Sequence, residues 1–169
     1  MTRYTIHGWT VIESGANDAL KLFTVPGTDR KMRLDRECGP YLVAFAAEYH
    51  KVIAPIDKGT FDDWAWSPPR TGRASSSMSD HCAGMAIDLN ATKEGSQGSG
   101  SLKFWKQPIT VARLKLLRRK FKLLEWGGDY SAKNRDPMHW TPKHGVTRRM
   151  ILAEMKRLRI GPNGYVKPA

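Results

Sequence analysis

Ser79-Asp80-His81-Cys82-Ala83-Gly84-Met85-Ala86-Ile87-Asp88-Leu89-Asn90 is the stretch around which this chain of 169 residues is organised. A histidine and an aspartate stand seven residues apart, on either side of a glycine and at the entrance to an apolar run. Met85, Ile87 and Leu89 alternate with Ala86, Asp88 and Asn90, the two-residue period of a strand with one apolar and one small-polar face. That period turns Asp88 away from the packed face, beside the small side chain of Ala86, with open space around its carboxylate. A second polar island follows at Asp136-Pro137-Met138-His139-Trp140. His81, Asp88 and His139 together make a set of two imidazoles and one carboxylate. Zinc takes nitrogen and oxygen ligands of this kind, and a catalytic zinc keeps a fourth position for water.

The His-x6-Asp pair alone is common by chance, and an aspartate at a strand end is more often a turn or cap residue. Asp136-x-x-His139 shifts the balance toward metal. In a strict strand residues 136 and 139 face opposite sides, but Pro137 between them makes the strand entrance irregular and lets both converge on one pocket. Asp136 is then placed as general base on a zinc-bound water and as acid toward the leaving amine.

The pattern Ser-x-His-x-x-Gly-x-Ala-x-Asp from Ser79 to Asp88, followed by an acidic residue, two spacers and His139, resembles the zinc D-alanyl-D-alanine carboxypeptidase family. That family also contains the vancomycin-resistance D,D-peptidases and phage endolysins that cut L-alanyl-D-glutamate bonds. The resemblance covers roughly residues 34–141. It implies His81, Asp88 and His139 as ligands of one zinc per chain, and Asp136 as the catalytic carboxylate where relatives often carry Glu. It also implies an arginine upstream of the first histidine that binds substrate and stabilises the oxyanion. Arg70 fits that place best, with Arg73 as its rival. Asp80, Cys82, Met85 and Trp140 depart from the commonest pattern, and none removes a ligand. Ser79 can orient a ligand or cap the loop. Trp126 and Trp140 can line the substrate groove or pack in the core.

Around this centre the chain reads as one α+β domain, a small antiparallel sheet carrying the zinc site with three helices around it. An N-terminal extension, 1–33, is expected to be a β-hairpin of strands 3–12 and 20–25, with His7 structural. The catalytic core spans 34–141. In it, Leu34, Cys38, Tyr41, Leu42, Phe45 and Tyr49 trace a helix over 34–51, regular from Pro40 onward. A short strand is expected at 52–56. A helix over 107–124 carries an apolar stripe of Ile109, Ala112, Leu116 and Phe121, and a strand and turn follow at 124–129. A last helix, capped by Thr147 and running to about Ile160, turns Met150, Ile151, Met155 and Leu158 inward, and with the tail makes up 142–169. Gly- and Ser-rich residues 91–101 read as a loop beside the site.

Composition narrows the function. No apolar run reaches the ~18–20 residues of a membrane span. The N-terminus lacks a secretory layout, so the product is expected to be made in the cytoplasm of a host cell and to reach the wall after the membrane is breached. Two cysteines, Cys38 and Cys82, give no disulfide framework. The net charge of +12 implies an anionic partner or surface: nucleic acid, membrane headgroups or an anionic cell wall. A nucleic-acid-binding protein would explain the charge but not the His/Asp constellation, and no nucleic-acid motif is present. A non-catalytic wall-binding module with a structural metal would bring four protein ligands rather than three. The resemblance, with the charge and the lack of a secretory layout beside it, therefore implies a monomeric zinc peptidase acting on bacterial peptidoglycan, of the phage lysis kind.

Overall fold

The computed structural model describes residues 2–57, 61–69, 78–91 and 104–168. Among these, the architecture is α+β: two small antiparallel sheets and three α-helices around one aromatic-rich core. The first sheet is a hairpin of β1, Leu20–Thr24, and β2, Lys31–Asp35, in register from Leu20↔Asp35 to Thr24↔Lys31. β2 alternates cleanly. Met32 and Leu34 are buried, whereas Lys31 and Arg33 face outward.

This hairpin lies one strand further along than the sequence suggests. Residues 3–12 do not pair with β1. They fold back on themselves through Gly8, at φ 84°, and make only the bridge Tyr4↔Thr10. Thr5 C=O accepts from Gly8 N–H, and Trp9 C=O accepts from Thr5 N–H, so this segment uses its backbone groups locally. Its further bonds run from Ile6 N–H to Met78 C=O and from Ile12 N–H to Cys82 C=O, into the metal-site turn.

β2 ends at Asp35, whose Oδ1 accepts from Glu37 N–H and Cys38 N–H and so starts the next element. That element is α1, Gly39–Val52, with Pro40 in its first turn. α1 is buried along most of its length, and Phe45 lies against both Phe121 and Trp140. The strand expected at 52–56 is absent. α1 continues through Val52, and Ile53 N–H and Ala54 N–H both donate to Tyr49 C=O, which closes a turn instead.

The second sheet has the order β3-β5-β4, all antiparallel. β5, His139–Pro142, is central, flanked by β3, Ile87–Asp88, and β4, Leu124–Trp126. β3 is only two residues long, shorter than the alternation from Met85 to Asn90 implies, and both faces of that stretch are buried. Ala86 and Asn90 are as enclosed as their apolar neighbours, because Trp64 bridges Asp88 on the outer edge and Ala91 N–H bonds to Asp62 C=O.

α2, Pro108–Lys120, buries Thr110, Leu114 and Leu117, and Phe121 follows on the same face. Ile109 and Leu116, expected inward, are 56% and 64% exposed. The helix is rotated by about one residue from the expected stripe, a turn of about 100°. α3, Arg148–Arg157, begins at Thr147, whose hydroxyl accepts from Met150 N–H. Ile151 and Met155 are buried, whereas Met150 is exposed. No helix among the described residues is long and apolar enough to cross a membrane.

Candidate metal centre

His81 enters the site from a one-turn 3-10 helix, Asp80–Ala83. Ser79 sits at its N-cap with Oγ accepting from His81 N–H, and Gly84 ends it in the left-handed region at φ +66°. A Cβ on Gly84 would stand 2.6 Å from the backbone N of Asp35, so only glycine fits where this turn meets the end of β2. Asp88 and His139 come from adjacent strands and face each other directly in the β3–β5 register.

The ligand atoms converge. His81 Nε2 lies 3.2 Å from His139 Nδ1 and 3.2 Å from Asp88 Oδ1, and His139 Nδ1 lies 3.0 Å from Asp88 Oδ1. Ligands at about 2.0–2.2 Å in a tetrahedral array stand about 3.3–3.5 Å apart. The three atoms thus form a nearly equilateral face slightly tighter than a bound zinc requires. His81 Nδ1–H donates to Ala65 C=O at 2.5 Å, which fixes the tautomer with Nε2 free to ligate. The donor set, spacing and tautomer fit a zinc ion.

Charge is graded across the site. Burial works against the Asp88 carboxylate, but its contacts with His139 and His81 outweigh it and hold the group well below the usual carboxylate range. Asp136 shifts the other way. Burial first, and the Asp88 charge second, push its pKa up. Its Oδ1 is buried and has no hydrogen-bond partner among the described residues. The loop carrying Asp136 is held by backbone contact: Asp136 N–H donates to Gly127 C=O, and Trp126 Nε1–H donates to Pro137 C=O at 2.7 Å. A side chain on Gly127 would collide with Asp136 C=O at 2.1 Å.

The site opens into a cavity of about 560 Å³ whose walls include Ser79, His81, Asp88, Asp136 and His139. The remaining wall holds residues to which sequence reasoning gave no site role. Ile6 and His7 come from the N-terminal segment, and Glu125, Tyr130, Ser131 and Asn134 come from β4 and the loop after it. Tyr130 O–H donates to Glu125 Oε1 at 2.7 Å; burial and that carboxylate keep the phenol neutral. His7 Nδ1 lies 2.5 Å from Asp80 Oδ2, and its Nε2 lies 3.4 Å from Glu125 Oε1.

Asp80 is the buttress behind His81. Fully buried, it also accepts from Thr5 O–H at 2.5 Å and from Thr141 O–H at 2.9 Å. Burial opposes its ionisation, but the bonds from His7, Thr5 and Thr141 keep its pKa below the ordinary value. An aspartate next to the first histidine was the one available signal, since a buried charge needs partners from elsewhere in the chain.

The two tryptophans do not line the cavity. Trp140 is fully buried and stacks on Trp126 at 5.9 Å beneath the sheet; Trp140 also lies against Phe45, and Trp126 against Trp105. They are the floor on which the sheet rests, and the groove reading is corrected accordingly. Cys82 packs against Val11 and Met78. Arg70 and Arg73 lie outside the described residues.

Residues 72–141 match a family model described as D-alanyl-D-alanine carboxypeptidase. The matched segment is under half of the chain and contains His81, Asp88, Asp136 and His139. It supports a hydrolase of the metallopeptidase type. No curated protein and no solved structure matches the chain.

Proposed function

We propose that the protein is a zinc metallopeptidase that hydrolyses a peptide bond in the stem peptides of bacterial peptidoglycan. The observation that carries this reading is the convergence of His81 Nε2, Asp88 Oδ1 and His139 Nδ1 within 3.2 Å of one another, beside a carboxylate, Asp136, whose pKa is raised. The family match over residues 72–141 supports the substrate class.

When bound, zinc supplies a positive charge that polarises a carbonyl and acidifies water. The remaining work falls to side chains. Asp136 takes the proton of the attacking water and returns it to the amide nitrogen. The C–N bond then breaks, leaving a free amine and a carboxylate. Its raised pKa suits both halves of that transfer. Ser131 and Asn134 offer hydrogen bonds to a peptide backbone along the cavity wall. The arginine expected to steady the oxyanion is assigned to Arg70, with Arg73 as rival.

The wider setting is part of the same proposal. A basic peptidase of this kind fits a phage lysis enzyme that is made in the cytoplasm and meets the anionic wall once the membrane is breached. Digestion of purified walls tests the reading directly. New amino groups should appear with the zinc-loaded protein and vanish with chelator, and mass spectrometry of the fragments should identify an L-Ala-D-Glu or a D-Ala-D-Ala cut. An Asp88→Ala, His139→Ala double variant that keeps zinc at full occupancy by elemental analysis would remove the basis for the assignment.

A further inference from the structure

His81 and Asp88 stand at the meeting of two cavities rather than at the end of one. The second, of about 440 Å³, lies between the outer face of the β1–β2 hairpin and the segment 63–67. Its walls include Leu22, Lys31 and Arg33 from the hairpin, and Trp64 and Trp66 opposite.

The chemistry of this groove differs from that of the cavity described above. Lys31 and Arg33 are alternate residues of β2, so both project from one face, about 6.5–7 Å apart. Both are exposed, and neither makes an ion pair among the described residues. The Arg33 guanidinium is oriented by donating to Gly15 C=O, which leaves other N–H groups for a ligand. Two carboxylates also line the groove. Asp88 is a metal-site residue. Asp63 is committed elsewhere: it accepts from Asn90 N–H at 2.9 Å and lies 3.3 Å from Arg30 Nε, with its side chain almost wholly enclosed. Trp64 is 46% exposed, an unusual state for so large a ring, and its backbone is spent on Asp88. On the other side of the metal site the walls carry Glu125 and Asp136. The cleft is therefore acidic on one side of the ligands and basic on the other.

We propose that this groove is the subsite for the carboxyl-side half of the substrate, and that Lys31 and Arg33 hold a free carboxylate there while Trp64 and Trp66 cover the adjoining peptide. The proposal rests on the peptidase reading and deepens it. In a stem peptide such a carboxylate has two sources, the α-carboxylate of D-Glu and the C-terminus of D-Ala, and both present the same group to a guanidinium and an ammonium.

The test is binding, measured by calorimetry on the zinc-loaded Asp136→Asn protein so that turnover does not interfere. The probes are the peptide L-Ala-γ-D-Glu-L-Lys-D-Ala-D-Ala, its C-terminal carboxamide, and its D-Glu α-carboxamide. Adding Arg33→Gln or Lys31→Gln should weaken binding of the free acid by roughly 10- to 100-fold, the scale of a hydrogen bond between charged groups. One of the two amides should bind the parent protein more weakly by a similar factor and be indifferent to either substitution; which one identifies the source. Unchanged binding of the free acid in both variants overturns the proposal, as does equal binding of all three probes, or of none, by the parent. Wall digestion reports separately on the peptidase reading: a protein that releases no amino groups yet shows this binding pattern loses the activity assignment and keeps the subsite.

Discussion

Asp88 and Asp136 carry the same side chain a short distance apart, and the fold drives their protonation in opposite directions. Asp88 is held ionised by two imidazoles, whereas Asp136 has a raised pKa and a buried oxygen with no hydrogen-bond partner among the described residues. Asp136→Asn is accordingly expected to retain zinc and lose roughly 10²–10⁴-fold in rate, the range for a removed acid–base group. Loss of zinc together with rate would instead make Asp136 a ligand. His7 allows a prediction about pH. The hydrogen bond to Asp80 raises its pKa above the ordinary 6.5, against the lowering effect of burial. A raised folded-state pKa means that the stabilisation is complete below about pH 6.5 and is lost as the pH climbs through the folded value. The melting temperature of His7→Gln should therefore lie furthest under that of the parent below about pH 6.5 and converge toward it as the pH climbs through the raised folded-state pKa. A constant gap would show that the imidazole acts by shape alone. His81, Asp88, His139 and the nearby Asp136 could be singled out from their spacing together with the resemblance to a known pattern, because a metal site needs particular atoms at particular intervals. His7 could not. Nothing near it in sequence signals a partner 73 positions away.

The elements show the same division between local and distant causes. α1 and α3 were legible because Pro40 and Thr147 mark their starts, and β4 because Gly127 and Gly128 end it. The hairpin was misplaced because residues 3–12 have strand composition but spend their hydrogen bonds on a turn and on the 78–82 stretch. The stripe of α2 was misread in part: Phe121 and the adjoining Leu117 are buried as expected, whereas Ile109 and Leu116 are exposed and Leu114 is buried in their place. Asp35 joins three elements at once. It closes β2, holds the Glu37 and Cys38 N–H groups of the turn that leads into α1, and takes a bidentate bond from Arg148 of α3 at 2.7 and 2.6 Å. Gly84 packs against the same junction. Gly84→Ala should destabilise the protein by at least about 1–2 kcal/mol from the left-handed backbone alone. The contact of its Cβ with Asp35 N adds to that. Urea unfolding measures the loss. Because Gly84 ends the turn that presents His81, zinc affinity should drop as well; a variant of parental stability would show that the turn relaxes freely.

At the scale of the whole molecule the dominant property is the net charge of +12. Much of it lies on helix faces remote from the ligands in sequence. Arg113, Lys115 and Arg119 of α2 are exposed and make no ion pair among the described residues, unlike Arg118, which pairs with Asp129. A solvated face explains such residues singly; several unpaired cations around one helix, on a protein proposed to work on an anionic wall, have a use in capture. Attraction of this kind is screened beyond about 8–10 Å at physiological ionic strength. Activity on whole walls should thus fall steeply with added salt while activity on a soluble stem peptide falls little, and Arg113→Glu, Lys115→Glu, Arg119→Glu should mimic the salt on walls alone. Equal salt sensitivity on both substrates would place the effect in the cleft. The long reach of the contacts behind the site also sets a timetable for synthesis. His81 and His139 are separated by 58 positions, and the clasp of Arg148 on Asp35 spans 113. At about 5–20 residues per second, the second imidazole is translated roughly 3–12 s after the first. For nearly all of that interval a growing chain carries two of the three candidate ligands, His81 and Asp88, and Asp136 joins them only three codons before the set is complete.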